Sequence, residues 1–132
     1  MGSLTGFLSF LLYFVIGGAL VALYLAVYMF ATAHNEFVLI RKNVLAAAVA
    51  LGLSLLGFAI PLSSAIIYSA EIGRLVLWGV VALGVQIAVY WLVRLVLPDL
   101  SQRIAANELG AALFLGAASV AGGMINAASM TF

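Results

Sequence analysis

Cysteine is absent, proline occurs twice, and only nine of 132 residues are charged, five basic and four acidic. Each shortage excludes something. Without cysteine there is no disulfide framework, no thiolate nucleophile and no cysteine-ligated zinc, and the redox compartment is left open. Five Lys and Arg at a net charge of +1 give no basic stripe to neutralise a phosphate backbone, so no nucleic acid is expected as a partner. A charged content of 7%, against roughly 25% in soluble domains, cannot cover a 13.8 kDa particle in water. What is present is apolar: 67% of the residues, with a mean hydropathy of +1.33. The surface must therefore face a lipid bilayer.

The charges fall into three clusters, and the stretches between them are long enough to cross a ~30 Å hydrocarbon core, which takes ~20 helical residues. Residues 1–35 hold no Asp, Glu, Lys or Arg, and the apolar run over about 7–31 is the first expected span. Ala31-Thr32-Ala33 has the form of a signal-peptide cleavage site. However, no basic residue precedes Arg41 and the apolar core is too long for a signal peptide, so a spanning helix is the reading adopted. A polar connector, residues 34–43, leads to a second run over 44–69. Glu71 and Arg74 mark a turn, a third run over 75–97 is stopped by Pro98-Asp99, and a fourth covers 109–130. The expected fold class is all-α membrane, with four transmembrane helices in a single integral membrane domain over 1–132. Arg41, Lys42, Arg94 and Arg103 belong to the first and third connectors and only Arg74 to the second. The excess of positive charge places those two connectors in the cytoplasm and both termini on the outer side.

The chain resembles itself. Residues 43–52 (NVLAAAVALG) align 64 positions on with 107–116 (NELGAALFLG), and Gly17 with Ala26-Val27-Tyr28 aligns 62 positions on with Gly79 and Ala88-Val89-Tyr90. The halves, about 7–70 and 71–132, read as two tandem helical hairpins, a parallel internal repeat about an axis along the membrane normal. Asn43 and Asn107 open the aligned segments and read as N-caps, with Glu108 complementing the helix dipole.

Polar groups in lipid are costly, so each one within a span is a candidate for function: Ser9, Tyr24, Tyr28, Ser54, Ser63, Ser64, Tyr68, Gln86, Tyr90, Ser119 and Asn126. Gln86 lies in mid-span and aligns with Tyr24 in the repeat. Pro61 frees a carbonyl about a turn earlier, near Gly57, which Ser63 and Ser64 are placed to satisfy, and kinks the second span. Tyr24, Pro61, Ser63, Ser64, Gln86 and Asn126 either line a polar path or make interhelical contacts. The fourth span is small-sided, and Ala112, Gly116, Ala118, Ser119, Gly122 and Gly123 allow backbones to approach closely, within the chain or at an oligomer interface. His34, Glu36, Arg41, Lys42, Arg94, Asp99, Arg103 and Glu108 form a cytoplasmic set suited to docking a partner. One histidine without a spaced second ligand is no metal motif, and no metal or cofactor is expected. Tyr28, Tyr90 and Trp91 read as an aromatic belt. No nucleophile, base and orienting group share an arrangement, so no enzymatic activity is expected.

Several segments together resemble a known family. They are His34-Asn35-Glu36, Asn43 with the Ala-rich start of the second span, residues 56–65 (LGFAIPLSSA), Trp78-Gly79, Gln86 with Arg94 and Pro98, Leu100-Ser101, and residues 126–132 (NAASMTF). Over the whole chain the sequence resembles the YjfL family of small bacterial inner-membrane proteins, a four-span domain of unknown function. Ser129 departs from the cysteine common there in the family, which argues against a role needing a thiol. The resemblance implies a bacterial inner-membrane location and paired helical hairpins. It also implies a link to envelope and membrane maintenance, and brings no established activity.

The expected function is that of a non-enzymatic, homo-oligomeric inner-membrane protein supporting envelope or membrane-stress maintenance, with a cytoplasmic peripheral protein docking on the charged connectors. The alternative is a small oligomeric channel or transporter for ions or small solutes.

Overall fold

In lipid, every backbone N–H and C=O must find its partner within the segment, so long charge-free runs become helices. The computed structural model describes residues 2–32 and 36–130. The helices run in order α1 (Gly2–Ala31), α2 (Glu36–Arg41), α3 (Leu45–Tyr68), α4 (Ile72–Val96), α5 (Leu100–Ala105) and α6 (Leu109–Ala128). Among the described residues there is no strand, and α1, α3, α4 and α6 are long and apolar enough to cross a membrane. Three of these spans begin or end within a few residues of the expected bounds. α1 differs most, because it begins at Gly2 and runs for 30 residues, about 45 Å at 1.5 Å per residue.

The connectors hold two short helices that the charge pattern concealed. α5 carries Leu100 and Ile104 one turn apart, and both are fully buried while Gln102 faces outward. That i, i+4 apolar pair is the local signal of an amphipathic turn. Both short helices end alike. Asn43 and Asn107 take left-handed φ values of 61° and 65°, which a short polar side chain tolerates better than most. The Val44 N–H donates to the Leu39 carbonyl at 3.0 Å and the Asn43 N–H to that of Ile40 at 2.9 Å. The Glu108 and Asn107 N–H groups do the same to Arg103 and Ile104, both at 3.0 Å. Each pair of bonds closes a Schellman motif.

This corrects the N-cap reading of the two asparagines. The N-cap positions are Val44 and Glu108, neither with a side-chain cap, because each asparagine is used one step earlier to end the preceding helix. Asn107 still caps a helix, though not its own: its Oδ1 accepts from the Ala46 N–H at 2.9 Å, at the start of α3.

α3 is the hub and packs against α1, α2, α4, α5 and α6, with α6 its principal neighbour. The two lie so close that a Cβ on Gly123 would stand 2.0 Å from the Gly57 carbonyl oxygen, so only glycine fits the crossing. α1 is peripheral. It buries a single stripe, Gly17, Leu20, Tyr24 and Tyr28, and its exposed first half carries the neighbouring rings of Phe7, Phe10 and Phe14. One apolar cluster gathers Leu20, Tyr24, Phe58, Leu62, Leu75 and Met130. A second, toward α5, gathers Ala46, Ala50, Tyr90, Leu100, Ile104 and Leu115.

Candidate functional site

Pro61 lies inside α3 and has no N–H, so the carbonyl four residues earlier, that of Gly57, has no helical donor. A bare carbonyl in hydrocarbon costs several kcal/mol. The donor comes from another helix. Gln86 of α4 is 2% exposed, and its Nε2 donates to the Gly57 carbonyl at 3.1 Å and to the Ser119 carbonyl of α6 at 3.0 Å. One amide therefore ties α4 to both helices of the central crossing. The serines expected to take this role do not: Ser63 is exposed, Ser64 is half-buried, and neither bonds to Gly57.

The same seam is braced from the other side. Tyr24 of α1 is buried, and its hydroxyl donates to the Ser54 carbonyl at 3.3 Å, about one turn from Gly57. The Ser54 and Ser119 hydroxyls lie 3.3 Å apart across the α3–α6 contact. Gln86 and Tyr24, paired in the expected repeat, both reach the central pair, but on different carbonyls. Asn126 stands apart from these bonds and is half-buried. Two polar atoms here, Gln86 Oε1 and Asn126 Nδ2, are buried with no hydrogen-bond partner among the described residues.

From this centre a line of rings runs toward α5. Tyr24 stacks on Phe58 with centroids 4.6 Å apart and planes 4° from parallel, Tyr28 follows at 5.9 Å from Tyr24, and Tyr90 meets Tyr28 edge-on at 6.0 Å. The Tyr90 and Ser101 hydroxyls lie 2.7 Å apart, and Ser101 donates in turn to the Thr32 carbonyl. The expected aromatic belt is therefore corrected. Tyr28 and Tyr90 are 2% and 1% exposed, and of the three only Trp91, at 56%, faces outward. Tyrosine suits the buried line because its ring packs and its hydroxyl finds a partner. Ser101 and Thr32 lay outside the sequence-derived candidates. Their polarity sits in a connector, where it carries no cost that would mark it.

The small residues of α6 meet neighbours within the chain. Ala112, Ser119 and Gly123 are buried. A Cβ on the buried Gly116 would stand 2.4 Å from Leu53 of α3, and one on the half-buried Gly122 would stand 2.8 Å from Val89 of α4. Ala118 is half-buried and packs on the second cluster.

The charged residues of the two connectors gather at one end of the bundle, the end where Asn107 caps α3 and Ser101 reaches Thr32. His34 lies outside the described residues, and of Glu36 only the helical backbone is described. Arg41, Lys42, Arg94, Asp99 and Glu108 are exposed and Arg103 is half-buried. Among the described residues, no ion pair joins Arg94, Asp99, Arg103 and Glu108 to one another. Two clefts open at this end. One of about 420 Å³ is lined by Trp91, Arg94, Leu95, Pro98 and Asp99, and one of about 480 Å³ has Arg103, Glu108 and Phe114 in its wall. Among the described residues no three His, Asp or Glu side chains stand close enough to share a metal ion.

The family described as Domain of Unknown Function (DUF350) matches residues 2–130. Over 132 residues, the whole of both chains, the sequence is 44% identical to the UPF0719 inner membrane protein YjfL of Escherichia coli K12, and equally to that of Escherichia coli O157:H7. No solved structure matches the chain.

Proposed function

This chain belongs to the DUF350 family, and from that premise we propose that it is a non-enzymatic scaffold of the bacterial inner membrane, whose spans form a braced support for a charged docking face. One observation carries the reading: the Gln86 amide, the most costly polar group in mid-span, is committed to the carbonyls of Gly57 and Ser119. A side chain so used holds helices together and offers little to a solute. The inner-membrane location rests on the name of the Escherichia coli relatives. Placing the basic connectors in the cytoplasm and both termini outside rests on the distribution of Arg and Lys.

The tandem-hairpin duplication forms part of the proposal. It is supported by the order long, short, long helix occurring twice, and by the left-handed asparagines with matching Schellman bonds 64 positions apart. A homo-oligomer would assemble on α1, which keeps most of its surface outside the chain, since α6 spends its small residues internally. The docked partner would be a peripheral protein of envelope maintenance, as the family resemblance implies.

The second reading, an oligomeric channel or transporter, has one observation in its favour, the unpartnered Gln86 Oε1 and Asn126 Nδ2. Flux through proteoliposomes decides between them. The scaffold reading expects no flux of common cations, anions or polyamines above empty liposomes. Flux that disappears in Gln86→Leu, with the variant still folded, overturns it.

A further inference from the structure

Within the charged end of the bundle, the last turn of α4 carries chemistry that docking a protein does not require. Pro98 stops that helix, Asp99 follows with a left-handed φ of 62°, and Asp99 and Arg94, of the last turn of α4, are both exposed. The two share the 420 Å³ cleft with Trp91 and Leu95 yet make no ion pair. The cleft thus offers a cation and an anion held apart, and beside them an apolar wall in which Trp91 is 56% and Leu95 79% exposed. The cleft lies at the last turns of α4, a helix long and apolar enough to cross a membrane.

We propose that this cleft binds a phospholipid whose headgroup carries a phosphate and a primary ammonium, the phosphatidylethanolamine class. A guanidinium presents N–H donors in a planar fork that matches phosphate oxygens in pairs, so Arg94 takes the phosphate. The two-carbon spacer carries the ammonium onward to Asp99, which accepts its N–H groups. The acyl chain descends along Leu95 and Trp91, an indole suited to a site apolar on one side and wet on the other. A headgroup with no cation would leave the Asp99 carboxylate without a counter-charge, and a quaternary choline has no N–H to donate. The neighbouring 480 Å³ cleft sets Arg103 and Glu108 beside Phe114, the same three kinds of group a second time. The site shares Arg94 and Asp99 with the proposed docking face, but its test stands apart from that reading, because lipid binding is measured without reference to flux or docking.

The test uses the full chain in vesicles containing lipids brominated on their acyl chains. Trp91 is one of two tryptophans, so Trp78→Phe leaves it as the reporter. The brominated ethanolamine lipid quenches Trp91 at about threefold lower mole fraction than the glycerol or choline lipid, the preference expected of one partly exposed charge pair. Asp99→Asn, which suits the left-handed backbone, removes that preference. Arg94→Gln weakens quenching by all three. Should Trp78→Phe not fold, wild-type protein extracted in mild detergent retains ethanolamine lipid above its share of the membrane, and Asp99→Asn does not. Equal quenching by the three lipids, a preference for the glycerol lipid, or a preference unchanged by Asp99→Asn overturns the proposal. In the extraction experiment, the same holds if wild-type and Asp99→Asn retain equal ethanolamine lipid.

Discussion

Gln86 on α4 and Pro61 on α3 form a matched pair: Gln86 Nε2 lies 3.1 Å from the Gly57 carbonyl oxygen, the acceptor left open because a proline four residues on has no N–H. Removing the amide leaves a buried carbonyl unsatisfied, whereas restoring the N–H at 61 gives that carbonyl its own donor. Gln86→Leu is therefore expected to destabilise the fold by about 1–3 kcal/mol, and by less in a Pro61→Ala background. A double-mutant cycle on unfolding in mixed detergent measures the coupling. Additive single effects would show that the two positions act separately.

The α3–α6 crossing makes a sharper contrast among glycines. Gly123→Ala places a methyl 2.0 Å from the Gly57 oxygen, whereas a methyl on the exposed Gly84 would have nothing within 4 Å of it. The first substitution should abolish the folded state or separate the two helices. Gly84→Ala should raise stability by about 0.5–1 kcal/mol through helix propensity. Thermal unfolding monitored by circular dichroism compares them directly.

Asn107 has two duties, and its counterpart Asn43 shares only one of them with it. Asn107→Gly keeps the left-handed turn and loses the bond to the Ala46 N–H, at a cost of about 0.5–1.5 kcal/mol, the net worth of one hydrogen bond. Asn43→Gly keeps the same turn, and Asn43 makes no such cap to α3, so its effect should fall within about 0.5 kcal/mol of zero. Equal losses in the two variants, measured by the same unfolding assay, would remove the cross-helix cap from the account.

The Tyr90–Ser101–Thr32 chain fastens α5 to the ends of α1 and α4. Tyr90→Phe leaves the ring in the aromatic line and deletes only the hydroxyl, costing about 1 kcal/mol. Hydrogen exchange should quicken in α5, residues 100–105, and stay unchanged at the α3–α6 crossing. Uniform quickening throughout the chain would indicate that the bond supports the whole bundle and not this junction.

Much of the membrane architecture was legible in the residues themselves. The spacing of charges placed the four spans, because an ion in hydrocarbon is too costly to be scattered, and Pro61 identified the open carbonyl near Gly57. The donor for that carbonyl was not legible. Ser63 and Ser64 are near in sequence, but helical geometry turns Ser63 outward and leaves Ser64 half-buried, while Gln86 arrives from a helix whose rotation no local pattern reveals. The asparagines were marked as important, and their aligned positions recur as matching turns, yet their role as helix ends required the φ values of 61° and 65°.

By itself, then, the sequence determined which four stretches are long and apolar enough to cross a bilayer, that polar groups within them would be scarce, and that the fourth could approach a neighbour closely. Only the tertiary structure decided which neighbour that is, which carbonyl Gln86 serves, and that Tyr28 and Tyr90 turn inward while Trp91 turns out. The reason is physical. In water an amphipathic stripe tells which face of a helix is buried, but a membrane helix is apolar toward lipid and protein alike. Its rotation is then set by close packing and a handful of hydrogen bonds, which exist only once the helices have met.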